Sequence, residues 1–177
     1  VAGCQGSDCL EGGDDGLFVR TALGGPLNLV RVNSGGLVVQ AVVVDRGNPA
    51  QAFAFATGTD GLQALLQTTN TGASWADILG DFPSSAGVIR SLRHIEAPAG
   101  DALVVGADSG VYIAAEAQNY RSWTRLGEGL PNAPVSELDY DPSRNLLIAG
   151  TLGRGTHTLA LPRLKANPGW SGVWYDP

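Results

Sequence analysis

Short runs of apolar residues alternate with turn-forming clusters along most of the chain. Between residues 38 and 87 these runs read VVQAVVV, QAFAFAT, LQALLQ and SWADIL, and Gly, Asn, Asp or Pro residues separate each run from the next. Runs of this length with such boundaries are typical of β-strands, and helical spacing of apolar residues is not sustained over a comparable length. The pattern predicts an all-β protein built from antiparallel strands.

The strand pattern recurs at a nearly constant interval. A glycine opens a similar strand in each repeat: Gly16, Gly61, Gly110 and Gly155. These glycines are 45, 49 and 45 residues apart. Four antiparallel strands repeated at such an interval are typical of a β-propeller blade. The sequence therefore predicts an incomplete propeller ring, with a partial blade at 1–37, whole blades at 38–87 and 88–134, and the inner strands of a fourth blade at 135–160.

Residues 68–75, TTNTGASW, place a tryptophan directly after a turn cluster. With Thr68, Asn70, Gly72 and Trp75 at its spacing, this segment resembles the Asp-box (BNR) repeat of the sialidase-like and xyloglucanase-like propellers, although Asn70 stands where that repeat usually has Asp. The next repeat, QNYRSW, retains only the tryptophan. The resemblance implies a structural role: the glycine adopts a positive φ, Asn70 bonds nearby amides and the tryptophan packs between blades.

Carboxylates precede the strand-opening glycine in several repeats. The resemblance to xyloglucanase-like propellers makes Asp60 and Asp108 candidates for catalysis, because glycoside hydrolysis needs two carboxylates flanking the scissile bond. The simpler interpretation is turn chemistry, in which an Asp side chain satisfies local amides. We favour a non-catalytic scaffold or a protein or glycan recognition surface. The alternatives are a fragment of a two-lobed glycoside hydrolase and, on fold analogy alone, kinship with propeller-type photosystem assembly factors.

Other chemistries have no matching residue set in the sequence. His94 and His157 are 63 residues apart, with no cysteine or carboxylate at zinc-ligand spacing. The arginines match no sialidase motif, and G-x-S-x-G and a phosphate-binding glycine loop are both absent from the sequence. We therefore expect no metal and no cofactor.

Charge and hydropathy exclude two classes of partner. The net charge is −6 and the one lysine is Lys165, which leaves no basic patch for nucleic acid or anionic lipid. The most apolar runs have the length of strands, so we expect no membrane span.

The two cysteines, Cys4 and Cys9, enclose the short loop QGSD, which could close as a disulfide in an oxidising compartment. VAGC also resembles a bacterial lipobox, which would make Cys4 a lipidation site instead. The first residue is Val1 and the sequence contains no methionine, so we expect that this chain is not a complete primary translation product. Export is favoured, to the medium, the periplasm or the cell surface.

Residues 161–177 depart from the repeat and end in ANPGWSGVWYDP. This segment resembles the opening of a further module found in secreted bacterial proteins; the alternative is a tail whose aromatic side chains lie against the propeller. Four aromatic residues, expected to be exposed, are candidates for stacking on sugars: Tyr120, Trp170, Trp174 and Tyr175. An incomplete ring also predicts a partner, another chain or a second copy, that completes the propeller.

Overall fold

The computed structural model describes residues 2–4, 16–19, 26, 28–30, 37–58, 60–96, 100–161 and 173–175. In these ranges the regular structure consists of β-strands and two single-turn 3-10 helices, without an α-helix, so the all-β prediction is confirmed. No helix of these ranges has the length and apolarity needed to cross a bilayer. The chain forms two compact units, residues 1–79 and residues 80–177, and each is described by itself.

The first unit contains two antiparallel sheets. The smaller one has the order β1-β2-β3 and consists of β1 (Ala2–Cys4), β2 (Gly16–Val19) and β3 (Asn28–Val30). The larger one has the order β4-β5-β6-β7 and consists of β4 (Val38–Val44), β5 (Ala52–Thr57), β6 (Gln63–Thr68) and β7 (Ala76–Asp77). Strands that follow one another in sequence are neighbours in both sheets, as short hairpin connections require.

The second unit also contains two antiparallel sheets in sequence order. One consists of β8 (Ile89–Ile95), β9 (Ala102–Ala107), β10 (Gly110–Ala115) and β11 (Trp123–Arg125). The other consists of β12 (Val135–Asp141), β13 (Leu146–Thr151) and β14 (Gly155–Ala160). The 3-10 turns lie at Ser84–Ala86, before β8, and at Glu116–Gln118, after β10. Residues 38–87 and 88–134 therefore each contain one antiparallel sheet of four strands in sequence order.

Residues 173–175 lie against the outer edge of the last sheet. Tyr175 pairs antiparallel with Thr158 of β14, and their amides and carbonyls exchange hydrogen bonds of 2.7 and 2.8 Å. On the other side, the Trp174 amide donates to the Glu128 carbonyl over 2.9 Å. We placed the end of the repeat region at residue 160, but this short segment adds a fourth chain to the sheet.

The core of the larger sheet in the first unit is built on alanine. Ala54, Ala56, Ala64, Val39 and Leu66 form one buried cluster, against which Trp75 packs. Phe53 and Phe55 alternate with these alanines along β5 and are also buried. A strand buried on both faces carries an unbroken apolar run, which explains the sequence AFAFA.

The core of the second unit lies between its two sheets. Val104 and Ile113 of the first sheet face Leu138, Leu147 and Leu159 of the second within one buried cluster. The strands β9 and β10 are buried along almost their whole length, whereas burial alternates along β13. In the described structure, therefore, the sheet β12-β13-β14 is well covered on one face only.

One position in this core requires glycine. A Cβ atom on Gly106 of β9 would lie 2.7 Å from both the carbonyl oxygen and the Cγ1 atom of Val135. The Ser91 hydroxyl donates to the same Val135 carbonyl over 3.2 Å. Strand β12 thus approaches the neighbouring sheet too closely for any side chain at residue 106.

Three strands that come first in their sheets, β4, β8 and β12, are each interrupted near their start. Pairing with the second strand shifts register between Val39 and Ala41, between Ile89 and Ser91, and between Val135 and Glu137. The extra residue in each case is polar and exposed: Gln40, Arg90 and Ser136. A β-bulge of this kind leaves one residue out of the ladder and bends the strand.

Candidate functional site

The four residues that resemble an Asp-box lie together in the hairpin between β6 and β7. The Thr68 side chain is buried, and its hydroxyl accepts a hydrogen bond from the Gly72 amide over 2.9 Å. The same hydroxyl donates to Oδ1 of Asn70 over 2.9 Å. A hydroxyl is needed here because the same side-chain oxygen must both donate and accept.

Asn70 completes the hairpin. Its Oδ1 atom accepts from the Ser74 amide over 2.9 Å, and its Nδ2 group donates to the Ser74 hydroxyl over 2.8 Å. Thr71 and Gly72 have φ values of 58° and 85°, so the chain turns through two left-handed residues in succession. The polar side chains of Thr68 and Asn70 are both engaged inside their own turn, which accords with the structural role that the resemblance implies.

The equivalent hairpin of the next sheet is held differently. Asn119 and Tyr120 have φ values of 52° and 55°, and the Trp123 amide donates to Oδ1 of Asp81 over 2.7 Å. The Ser122 hydroxyl donates to the other oxygen of Asp81 over 3.1 Å. We did not anticipate this role for Asp81. Its carboxylate lies some 40 residues before its partners, and a single sequence carries no signal for such a long-range contact.

Asp60 lies in the turn between β5 and β6. It is exposed, and its Oδ1 atom accepts a hydrogen bond from the Leu62 amide over 3.1 Å. This two-residue reach is the Asx-turn that we gave as the simpler interpretation of Asp before Gly.

Asp108 lies in the turn between β9 and β10, beside the chain entering β8. Its Oδ2 atom accepts from the Val88 amide over 3.0 Å, and its Oδ1 atom pairs with the guanidinium of Arg90. The Val88 amide is the main cause that holds the pKa of Asp108 below its ordinary value of 3.8, and Arg90 lowers it further against the opposing effect of burial. A Cβ atom on Gly87 would lie 2.7 Å from this carboxylate, so glycine leaves the space that Asp108 occupies.

These surroundings decide what Asp108 can do chemically. A general acid in glycoside hydrolysis needs a raised pKa, because it must hold a proton near neutral pH. The pKa of Asp108 is shifted in the opposite direction. Asp60 and Asp108 belong to different units, and each is engaged with its own turn or its own neighbouring strand.

Two further aspartates close the turns that follow strands β4 and β12. Oδ1 of Asp45 accepts from the amides of Gly47 and Asn48 over 2.8 and 3.0 Å. Oδ1 of Asp141 accepts in the same way from the amides of Ser143 and Arg144 over 2.9 and 3.3 Å. A hydrogen bond from the Ser143 hydroxyl is the main cause that lowers the pKa of Asp141. The segments DRGNP and DYDPSRN therefore form matching turns.

The expected exposure of the aromatic candidates is wrong for two of them. Tyr120 is 1% exposed because it lies in the left-handed turn before β11, where its ring meets His94 edge-on with 6.4 Å between centroids. Trp174 is 4% exposed because its ring joins the core between the two sheets of the second unit. Tyr175 is 64% exposed, as expected. Trp170 lies outside the described residues.

The histidines are strand residues of the second unit. His157 of β14 is buried, with its Nε2 atom 3.0 Å from the Arg154 carbonyl oxygen. His94 of β8 has a side chain 2% exposed, and its Nε2 atom lies 3.7 Å from a carboxylate oxygen of Asp101. Cys9 lies outside the described residues, so its pairing with Cys4 stays a prediction.

One end of the second unit combines exposed apolar and charged side chains. Val88, just before β8, is 41% exposed, and Leu152, in the turn between β13 and β14, is 54% exposed. The Leu152 amide donates to the Pro134 carbonyl, so this turn lies at the start of β12, as Val88 lies at the start of β8. We call Val88, Arg90, Asp108 and Leu152 the end surface.

A comparison with known protein families, curated proteins and solved structures found no match to this chain.

Proposed function

We propose that this chain is a non-catalytic, propeller-type segment of an exported bacterial protein and that it acts as a scaffold that presents a recognition surface to another protein. The observation that carries the proposal is the engagement of the two candidate carboxylates. Asp60 bonds its own turn, and Asp108 is held by an amide and a guanidinium that keep it ionised. A carboxylate held ionised in this way is unsuited to the acid role in glycoside hydrolysis, which needs a proton to donate.

The propeller part of the proposal is supported by three features of the strands. Strands follow one another in antiparallel order in every sheet, the first strands of three sheets are bulged at similar places, and the turns after two of these strands are closed by an aspartate. Equivalent irregularities at equivalent places are what a repeated blade would produce.

The end surface is the region that we propose for recognition. It offers two exposed aliphatic side chains, Val88 and Leu152, and the ion pair of Arg90 with Asp108, whose carboxylate also accepts the Val88 amide. Apolar groups rimmed by charge are common in protein interfaces. A glycan site has less support, because Tyr120 and Trp174 are buried and cannot stack on a sugar.

The alternative of a glycoside hydrolase fragment is tested by turnover. Wild-type protein, Asp60→Asn and Asp108→Asn are incubated with chromogenic β-glycosides and soluble β-glucans, and released sugar is measured. We expect all three to release the same background amount. Hydrolysis by the wild type that Asp108→Asn or Asp60→Asn abolishes would overturn the non-catalytic proposal.

The recognition role is tested with a pair of matched surface variants. The double variant Val88→Ser, Leu152→Ser removes the aliphatic part of the end surface, and Leu62→Ser removes an aliphatic side chain that is 61% exposed in the first unit. Cross-linking in the exported protein fraction should capture a partner with the wild type and with Leu62→Ser, but not with the double variant. Equal capture by all three proteins would exclude the end surface. Binding to a glycan array that Tyr175→Ala abolishes would favour the glycan form instead.

A further inference from the structure

The segment 173–175 has the contacts of a bound peptide. Its backbone hydrogen bonds run to both sides: Trp174 donates to Glu128, while Tyr175 donates to Thr158 and accepts from it. Val173 and Tyr175 are 51% and 64% exposed, whereas Trp174 between them is 4% exposed. An extended chain that adds to a sheet edge through its backbone and inserts alternate side chains is the β-augmentation mode of peptide recognition.

Trp174 is the anchor of the segment. Its ring lies in the same buried cluster as Leu126 and Leu159, and its indole N–H donates to the Leu126 carbonyl over 2.9 Å. The indole N–H groups of Trp75 and Trp123 are buried without an acceptor in the described structure. The site of Trp174 therefore provides for the whole side chain, its polar edge included, which is the arrangement expected of a specific pocket.

The wall opposite β14 is shaped by two glycines of its own backbone. Gly127 and Gly129 have φ values of 74° and 84°, and they flank Glu128, whose carbonyl receives the Trp174 amide. A Cβ atom on Gly129 would lie 3.7 Å from the Trp174 carbonyl oxygen. Two left-handed glycines thus fix the position of the acceptor through the local backbone. Together, residues 126–129 and β14 form a groove, which we call the Trp174 groove.

The contacts in the groove do not depend on which copy of the chain supplies the segment. Residues 162–172 separate Leu161, next to β14, from Val173 in the sequence. A chain of that many residues can span up to about 35 Å when extended, which is a reach compatible with the groove of a second copy. Exchange of an identical element between two copies keeps every native contact and is a low-cost route to a dimer. We infer that the Trp174 groove is a peptide-binding site and that its partner is residues 173–175 of a second copy, exchanged reciprocally.

The groove is tested first with a peptide. A fluorescein-labelled peptide GVWYDP, residues 172–177, is titrated into the full-length variant Trp174→Ala and into the wild-type chain, and anisotropy is measured. The variant should bind the peptide saturably and more tightly than the wild type, whose groove is filled. A peptide with alanine in place of the tryptophan should bind at least about 30-fold more weakly, as loss of a buried anchor predicts.

Folding of the variant is checked by circular dichroism. If Trp174→Ala unfolds, Tyr175→Pro replaces it, because proline removes the hydrogen bond donated to Thr158 without touching the core. This variant should also bind GVWYDP more tightly than the wild type does. Equal binding of both peptides, or no binding by a folded variant, would overturn the groove.

Exchange is tested by native mass spectrometry of the wild type over a series of concentrations. The dimer fraction should rise with concentration, and excess GVWYDP should return the protein to monomer, whereas the alanine peptide should not. Tyr175→Ala, which loses only an exposed ring, should still dimerise. A wild type that stays monomeric throughout, or a dimer that the peptide leaves intact, would overturn the exchange.

Discussion

A single buried hydroxyl organises the hairpin between β6 and β7. Thr68 accepts the Gly72 amide and donates to Asn70, which in turn holds Ser74. Three residues are thereby fixed through one side chain that is itself almost inaccessible to solvent. The stability of this hairpin should depend far more on the Thr68 oxygen than on any exposed polar group nearby.

Replacing Thr68 with valine should destabilise the protein by about 1–3 kcal/mol, because the buried Gly72 amide loses its acceptor while the shape of the side chain is kept. The measurement is urea unfolding followed by tryptophan fluorescence. Thr69→Val is the matched control, since Thr69 is exposed. Similar losses of unfolding free energy for the two variants would contradict the role of the Thr68 hydroxyl.

The hydrogen bond from the Val88 amide, together with the ion pair with Arg90, makes the contribution of Asp108 to stability depend on pH. A carboxylate whose pKa is lowered on folding stabilises the folded state above its unfolded pKa, and this contribution disappears as pH falls through the folded value. Asp108→Asn should therefore reduce the free energy of unfolding at pH 7 by about 1 kcal/mol or less, as expected for a partly exposed pair.

The difference between wild type and Asp108→Asn should shrink as the pH falls below 3.8, where the wild-type carboxylate becomes protonated as well. Urea unfolding of both proteins at pH 7 and at several values below pH 4 measures this difference in unfolding free energy. Asp60→Asn, at an exposed turn aspartate, serves as the control and should differ little from wild type at either pH. A difference that grows on acidification would show that the sign of this linkage is wrong.

The sequence predicted the conformation of single residues where neighbouring side chains determine it. It failed where burial depends on contacts between distant parts of the chain. The positive φ of Gly72 and the turn bonds of Asn70 and Asp60 follow from side chains acting within a few positions. The burial of Tyr120 and Trp174 depends on which sheet faces them, and strand periodicity does not encode this.

At the scale of elements, the longer strands were predictable and the short pairings were not. The strands β4, β5 and β6 coincide with the apolar runs, because a half-buried or fully buried strand must show its burial in the sequence. The pairing of Tyr175 with Thr158 had no such signal in the sequence. It consists of a single β-bridge next to the buried ring of Trp174. The bulges were also invisible, because one extra residue hardly alters an apolar run.

Two glycines at corresponding places in neighbouring sheets should respond differently to alanine. Gly106 of β9 pairs with Ser91, and Gly150 of β13 pairs with Glu137, so both lie opposite the residue after the bulge. A Cβ atom on Gly106 would overlap Val135, whereas on Gly150 the nearest atom, Glu137 Cβ, is 3.4 Å away. Gly106→Ala should cost about 1–3 kcal/mol by forcing the sheets apart.

Gly150→Ala should change the unfolding free energy much less than Gly106→Ala, because its neighbour needs to move by only a few tenths of an ångström. Urea unfolding of the two variants side by side measures this contrast. An equal cost at both positions would mean that strand conformation, rather than the close approach of β12, is the reason for glycine.

At the scale of the whole molecule, the arrangement of sheets bears on the expected ring-completing partner. Ile148 and Thr158 are only partly buried on the outer face of the last sheet, while Val104 and Ile113 of the preceding sheet are fully covered. A further sheet could pack there as the last sheet packs on its neighbour. Such a partner stays a prediction, as does the export of the protein.

The state of the two cysteines can be measured on the intact chain. Mass spectrometry of the exported protein without reductant should give a mass lower by two hydrogens than after reduction, as a bond between Cys4 and Cys9 requires. A mass increased by acyl chains would support the lipobox interpretation instead. Two free thiols in protein taken from an oxidising compartment would contradict both.

The bulged first strands also affect how the protein behaves at high concentration. The strands β4, β8 and β12 have seven residues each and lie at sheet edges, where a foreign strand could add and begin fibre growth. An incoming strand would have to match a two-for-one register at Gln40, Arg90 or Ser136 and accept a polar side chain there. The longest edge strands in the described part of the chain are thus poor templates for amyloid.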